Sequence, residues 1–284
     1  MSRVALLVLV LGATAQDPDP RPSFLFVIAD DWGWPHAGAY GDTVVKTPVF
    51  DRLAAEGALF TRAFCASPSC TPSRCGILTG QVIHRIEEAG NLWSTLPAKF
   101  DVYPELLEAK GYVTGCNGKT WGPGSLEAGG RTKNPAGPGF PSFANFLKKL
   151  PAGKPFCFWF GGVFHNGFDP HRPYDLGSGV KSGMKLEDVT VPPYLPDTPE
   201  VRSDLLDYYV EVQRFDRDMA GLLKALEAAG RAANTVVVMT GDNGYPFPRG
   251  KGNLYDAGSR VPLAVRWPAK VKAGQRIDDF VSLT

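Results

Sequence analysis

An α/β fold with a large, mostly parallel central sheet flanked by helices is what the sequence predicts, and three observations predict it. Short, almost wholly apolar runs at residues 24–29, 156–160 and 235–239 read as strands buried on both faces. Residues 199–229 carry Leu205, Tyr209, Val212, Phe215, Met219, Leu222 and Leu226 at spacings of three and four, the apolar stripe of one long helix. Finally, the three strands end in polar residues: Asp30-Asp31, the stretch towards His165, and Asp242-Asn243. Ligands of open α/β sheets bind beyond the carboxyl ends of the strands, so these residues mark one candidate site.

The elements follow in chain order. Residues 1–15 read as a secretory signal, with Arg3 as the positive start, an apolar run over 4–11 and Ala13-Thr14-Ala15 as a small-residue cleavage site. The run is too short to span a membrane, so the expectation is export to the periplasm or outside, without stable membrane insertion. Residues 16–22 read as a short linker, and 23–284 as the folded domain. Lysine and arginine number 30 against 29 acidic residues, a net charge of +1 with no block of like sign. That balance excludes a nucleic-acid partner recognised by bulk charge, and an anionic substrate must be held by a local cluster. Five cysteines, Cys65, Cys70, Cys75, Cys116 and Cys157, are an odd number for an exported protein. One is then free or chemically special, and four remain for up to two disulfides or as buried thiols.

After the first strand, Asp30 and Asp31 offer hard oxygen ligands, and Asp242 with Asn243 offers more at the third strand end; such a set suits Ca²⁺ or Mg²⁺. Cys70-Thr71-Pro72-Ser73-Arg74 opens a second helix: Pro72 suits a first turn, and Ser or Thr nearby can cap free amides. Cys70 and Arg74, four apart, share one helix face beside an N-terminus that favours a tetrahedral oxyanion. Lys119 follows the apolar stretch at 111–113, and Lys251 sits in a glycine-rich segment. Residues 121–141 and 170–199 are rich in Gly and Pro and read as long loops near the site, the second containing His171. Thr198 and Pro199 start the long helix, and Gly230 stops it.

The segment Cys70-x-Pro72-Ser73-Arg74 followed by Leu78-Thr79-Gly80 resembles the signature of the type I, formylglycine-dependent sulfatases. The resemblance runs from about Ser23 to Thr284 and implies an alkaline-phosphatase-like sandwich. It implies that Cys70 is oxidised to formylglycine by a maturation enzyme, and that Asp30, Asp31, Asp242 and Asn243 hold a cation, Ca²⁺ ahead of Mg²⁺, with converted Cys70 as a further ligand. Arg74, Lys119 and Lys251 would surround the sulfate, and His171 would protonate the leaving group. The formylglycine hydrate would attack sulfur in line, and its second hydroxyl would then expel the bound sulfate. Residues 169–174, 191–193, 195–200 and 247–249 resemble the bacterial proteins grouped with heparan N-sulfatase (sulfamidase). A sulfated carbohydrate is the implied substrate.

Two departures accompany the likeness. Most sulfatases carry a histidine where Trp121 stands, two residues after Lys119, so another group, His165 for instance, must supply that base. Family members also continue past Thr284 into a smaller C-terminal subdomain, so a C-terminally incomplete chain is expected. His84 reads as a structural histidine, and His36 has no reading. Two rival functions remain open: a phosphodiesterase or phosphonate hydrolase on the same fold, and a non-catalytic binder of sulfated glycans. The cysteine in the signature argues against the first, since phosphate-specific relatives mostly use Ser or Thr.

Overall fold

The computed structural model describes residues 20–162 and 175–284. In chain order the strands are β1 (Ser23–Ala29), β2 (Ala58–Phe64), β3 (Val113–Gly118), β4 (Phe156–Gly161), β5 (Thr235–Gly241), β6 (Arg260–Arg266) and β7 (Gln275–Ser282). The helices are α1 (Pro48–Glu56), α2 (Cys70–Thr79), α3 (Tyr103–Ala109), α4 (Phe143–Lys149), α5 (Ser178–Lys181), α6 (Pro199–Ala228) and α7 (Asp256–Ser259). One seven-stranded sheet has the order β3-β4-β1-β5-β6-β2-β7. The pairs β3/β4, β4/β1, β1/β5 and β2/β7 are parallel; β6 runs antiparallel to both of its neighbours. The predicted fold class is therefore observed, with the three apolar runs as β4, β1 and β5, adjacent at the centre.

Side chains alternate along the central strands and build a core on each face. Leu25 and Val27 of β1, with Phe156 and Phe158 of β4, pack against α1, α4 and α6. Phe26 and Ile28 of β1, with Trp159 of β4, pack on the other face against α2. The helix α6 has the predicted limits: the Thr198 side chain accepts from the Val201 amide, and Gly230 follows with a φ of +67°. Its Asp216 accepts the Val49 and Phe50 amides at 3.0 and 2.8 Å, capping α1 from across the core.

Two expectations need correction, and one open alternative is decided. The stretch after residue 175 is not one long loop, because Asp207 of α6 accepts from Gly177 N and Gly179 N at 2.7 Å each and organises α5. All five cysteines are buried free thiols, so the disulfide alternative is not realised. Ser69 makes no side-chain cap on α2; its carbonyl instead accepts from the Ser73 amide at 3.0 Å.

Candidate active site

Four segments converge at the carboxyl edge of the central strands. Asp30 and Asp31 follow β1, Lys119 follows β3, Asp242 and Asn243 follow β5, and Cys70 opens α2. Parallel pairing brings the first three together, because β3, β4, β1 and β5 all end on one side. The i, i+4 spacing works as expected: Cys70 Sγ and Arg74 Nη2 lie 3.5 and 3.4 Å from the same Asp30 oxygen. Arg74 Nε donates to Asp242 Oδ2 at 2.7 Å, and Nη1 donates to the Lys119 and Thr120 carbonyls at 2.9 and 3.0 Å. Fully buried Arg74 thus ties α2 to the ends of β5 and β3, a holding role that sequence reading did not foresee. Ser73 Oγ adds a bond to the Asp242 carbonyl, and Thr71 Oγ1 donates to the Pro123 carbonyl at 2.6 Å.

Charge is finely opposed in this cluster. Lys119 Nζ pairs with Asp30, and Lys251 Nζ lies 2.7 Å from Asp31. Burial raises the Asp30 carboxyl, but Lys119, Arg74 and Lys251 outweigh it and hold the group well below the usual carboxylate range. Asp31 goes the other way, pushed up to about 6 by burial and by Asp30, with Lys251 opposing. Burial and then Asp30, Asp242 and Asp31 push the Cys70 thiol well above its ordinary value, so the residue as encoded is a neutral thiol. Burial would lower both lysines, yet the carboxylates raise them, so both stay protonated.

The residues present fit a hard divalent cation. Ligand atoms of Asp30, Cys70 and Asp242 all lie within 4.8 Å of one another. Asn243 Nδ2 donates to Asp31 Oδ1 at 2.7 Å and to the Gly244 carbonyl at 2.8 Å, which fixes the amide. Its Oδ1 is buried with no hydrogen-bond partner, an acceptor for which a cation is the natural complement. Asp31 adopts a φ of +53°, a conformation that aspartate tolerates better than bulkier residues, and its amide donates to Asp242 Oδ1 at 2.9 Å.

Other candidates fall elsewhere. His165 and His171 lie outside the described residues. His84 is exposed on a short 3₁₀ turn, Ile83–Arg85, and is not packed into the core as a structural histidine would be. Trp121 is buried in the core cluster with Cys75, Leu78 and Trp159, so its indole is part of the packing under α2. His36 lies buried among Tyr208, Tyr209 and Tyr245, a cluster with no local signature because the partners are about 170 residues or more away.

The family model described as Sulfatase matches residues 22–160 and 146–284. The chain belongs to the sulfatase family. Human N-sulphoglucosamine sulphohydrolase is 32% identical over 98% of the chain and 61% of its own length. The chain spans between about half and two thirds of the length of the first curated relatives it matches. Among solved structures, the PsFucS1 sulfatase from Pseudoalteromonas sp. aligns with a TM-score of 0.63 at 21% identity, covering 93% of this chain and 65% of the other. A phosphonate monoester hydrolase of Agrobacterium radiobacter aligns with a TM-score of 0.71 at 19% identity, covering 93% and 71%. These likenesses show the alkaline-phosphatase-like fold, which by itself does not choose between sulfur and phosphorus.

Proposed function

We propose that this sulfatase-family chain is exported and removes sulfate from a sulfated carbohydrate, using Cys70 converted to formylglycine and a bound divalent cation, calcium ahead of magnesium. N-sulfo glucosamine units stand ahead of O-sulfo esters, because the human relative named above is an N-sulphoglucosamine sulphohydrolase. The observation that carries the reading is the meeting of three carboxylates, three cations and Cys70 at one sheet edge. The carboxylates and cations are formally balanced, so the cluster becomes cationic, and fit for an anionic ester, only when a metal ion joins it.

Asp30, Asp31, Asp242 and Asn243 would hold the cation. When bound, it supplies Lewis acidity at a sulfate oxygen. Converted Cys70 supplies, as its hydrate, the oxygen that attacks sulfur and a second hydroxyl whose deprotonation releases the sulfate and restores the aldehyde. Lys119 and Lys251 stay protonated and meet negative charge as it grows on the sulfur-bound oxygens. Arg74 fixes Asp242 and the Lys119 backbone, keeping these groups in place before substrate arrives. The proton for the departing oxygen or nitrogen falls to His171. With Trp121 in the core, the base for the second step comes from another group.

The deciding experiment is the mass of the Cys70 peptide from protein co-expressed with a formylglycine-generating enzyme, alongside sulfate release from defined saccharides. The expected result is an aldehyde or its hydrate at Cys70, with activity abolished and the fold retained in Cys70→Ala. Thiol only at Cys70, or phosphonate ester hydrolysis exceeding sulfate release, would overturn the reading.

A further inference from the structure

Resting on that reading, we propose that Trp159 is a positioning residue for Lys119, its indole N–H holding the Lys119 carbonyl so that the ammonium stays at Asp30. Trp159 lies in β4 and is 1% exposed. Its Nε1 donates to the Lys119 carbonyl at 3.2 Å, and Arg74 Nη1 donates to the same oxygen at 2.9 Å. A carbonyl oxygen has two lone pairs, so both are taken. The Lys119 amide in turn donates to the Gly161 carbonyl at 3.0 Å. Both backbone polar groups of Lys119 are thus engaged before its side chain begins.

The packing asks for a large apolar ring at position 159, but not for an indole. β4 reads Phe156-Cys157-Phe158-Trp159-Phe160, and its other aromatic residues are phenylalanines. The Trp159 ring meets Phe26 with centroids 4.7 Å apart and shares a core cluster with Ile28, Leu78 and Trp121. Phenylalanine would fill much of that space without bringing a polar atom into it. A buried indole N–H needs a partner, since leaving it unpaired costs about 1–3 kcal/mol. The partner here is the backbone of a site lysine.

Lys119 needs such a hold because the sheet stops supporting the chain there. The β3/β4 ladder ends at the pair Gly118 and Gly161, and Gly118 turns out of the strand with a φ of +75°. Lys119, the next residue, must then keep a flexible side chain on Asp30, whose same oxygen Cys70 and Arg74 also reach. Thr120 supplies a second hold: its hydroxyl accepts from Asn134 Nδ2 at 2.9 Å, and its carbonyl accepts from Arg74 at 3.0 Å. Asn134 is itself oriented by the Ala136 amide, which donates to its Oδ1 at 2.9 Å. Arg74 is shared with Asp30 and Asp242, whereas the indole N–H serves Lys119 alone. Fixing this backbone before substrate arrives spares the cost of aiming the charge during the reaction.

The test compares wild type with Trp159→Phe, which keeps a ring and removes the donor, and Thr120→Val, which removes the hydroxyl and leaves Trp159 untouched. Each protein is held below the onset of its own unfolding. The first readout does not depend on turnover: brief treatment with acetic anhydride, with each lysine peptide quantified by mass spectrometry. Lys119 is expected to acetylate at least about threefold faster in Trp159→Phe, and by a smaller factor in Thr120→Val, because the ammonium leaves its carboxylate more often. Lys251, paired with Asp31 from a different loop, should keep its wild-type rate. The second readout is sulfate release after conversion of Cys70, where Trp159→Phe should lower kcat about tenfold and leave KM within about twofold. Equal rises at Lys119 and Lys251 would mean general loosening, and no rise at Lys119 in either variant would mean a lysine held without the indole; each overturns the inference, as does an unchanged kcat. Selective exposure of Lys119 with no sulfate release by any of the three proteins would support the positioning role and count against the sulfatase reading instead.

Discussion

His36 shows how one side chain can set a pH response that its sequence context conceals. Its Nδ1 lies 3.1 Å from the Tyr208 hydroxyl, whose oxygen also accepts the Gly33 amide at 3.2 Å, and three tyrosine rings meet the imidazole edge-on. Burial pushes the imidazole down to about 4, with Asp42 opposing, from an unfolded value of 6.5. Between those values the unfolded chain holds a proton that the folded chain does not, so stability rises with pH across this window and is lost as pH falls through it. The shift corresponds to about 3 kcal/mol. Asp31 and Asp216, both raised to about 6, tilt the other way, since an ionised acid with a raised folded-state value destabilises as pH climbs. The expected outcome isolates the histidine: in denaturant titrations from pH 4 to 7, His36→Gln gains stability relative to wild type as pH falls. Parallel pH profiles for the two proteins would place the proton elsewhere. Arg74 offers the contrasting case, a buried cation whose removal strands Asp242.

At the scale of elements, the ends of β3 and β4 pack so tightly that they dictate where Lys119 stands. A Cβ on Gly161 would lie 1.6 Å from the Lys119 carbonyl oxygen, and one on Gly118, at φ +75°, would lie 2.1 Å from the Gly161 oxygen. Both clashes are with backbone, so no rotamer change relieves them. Gly161→Ala must therefore push the strand ends apart and carry Lys119 from Asp30. A loss of at least about 2 kcal/mol is expected by thermal unfolding, with a larger proportional fall in sulfate release. Gly139→Ala, where a Cβ meets nothing within 4 Å, is the control and should fall within about 0.5 kcal/mol of wild type. Equal behaviour of the two variants would mean that the edge is looser than its spacing implies. These elements also mark what a sequence reader can find. The strands β1, β4 and β5 were legible because burial on both faces leaves an uninterrupted apolar run. The antiparallel β6 and the short α5 were not, because one depends on pairing with β2 about two hundred residues away and the other on capping by Asp207.

For the whole molecule, the candidate site is the place where the layers are joined. Its acids come from β1 and β5, its cysteine from α2, and its lysines from the ends of β3 and of the loop before α7. The acids and Cys70 were legible, since adjacent polar residues at strand ends and a cysteine at a helix start are local patterns. The use of Arg74 as a tie, the orphaned Asn243 oxygen and the burial of Trp121 were not, because each is defined by contacts distant in sequence. A cation bound to the acids would link the central strands with α2, so it should act on global stability and not only on turnover. Calcium at a hundred times its dissociation constant corresponds to about 2.7 kcal/mol, which for a domain of this size raises Tm by roughly 4–6 °C. Asp31→Asn sharpens the prediction because its two effects have opposite signs. At pH 7 the ionised Asp31, with its folded-state value raised to about 6, is a source of instability in the cation-free protein. Replacing it with the neutral amide relieves repulsion from Asp30 and Asp242 while weakening the cation site. In chelator the variant should therefore melt no lower than wild type, whereas in calcium wild type should melt several degrees higher than the variant. Melting curves that do not respond to chelator, calcium or magnesium in either protein would show that the acids serve only to balance the lysines.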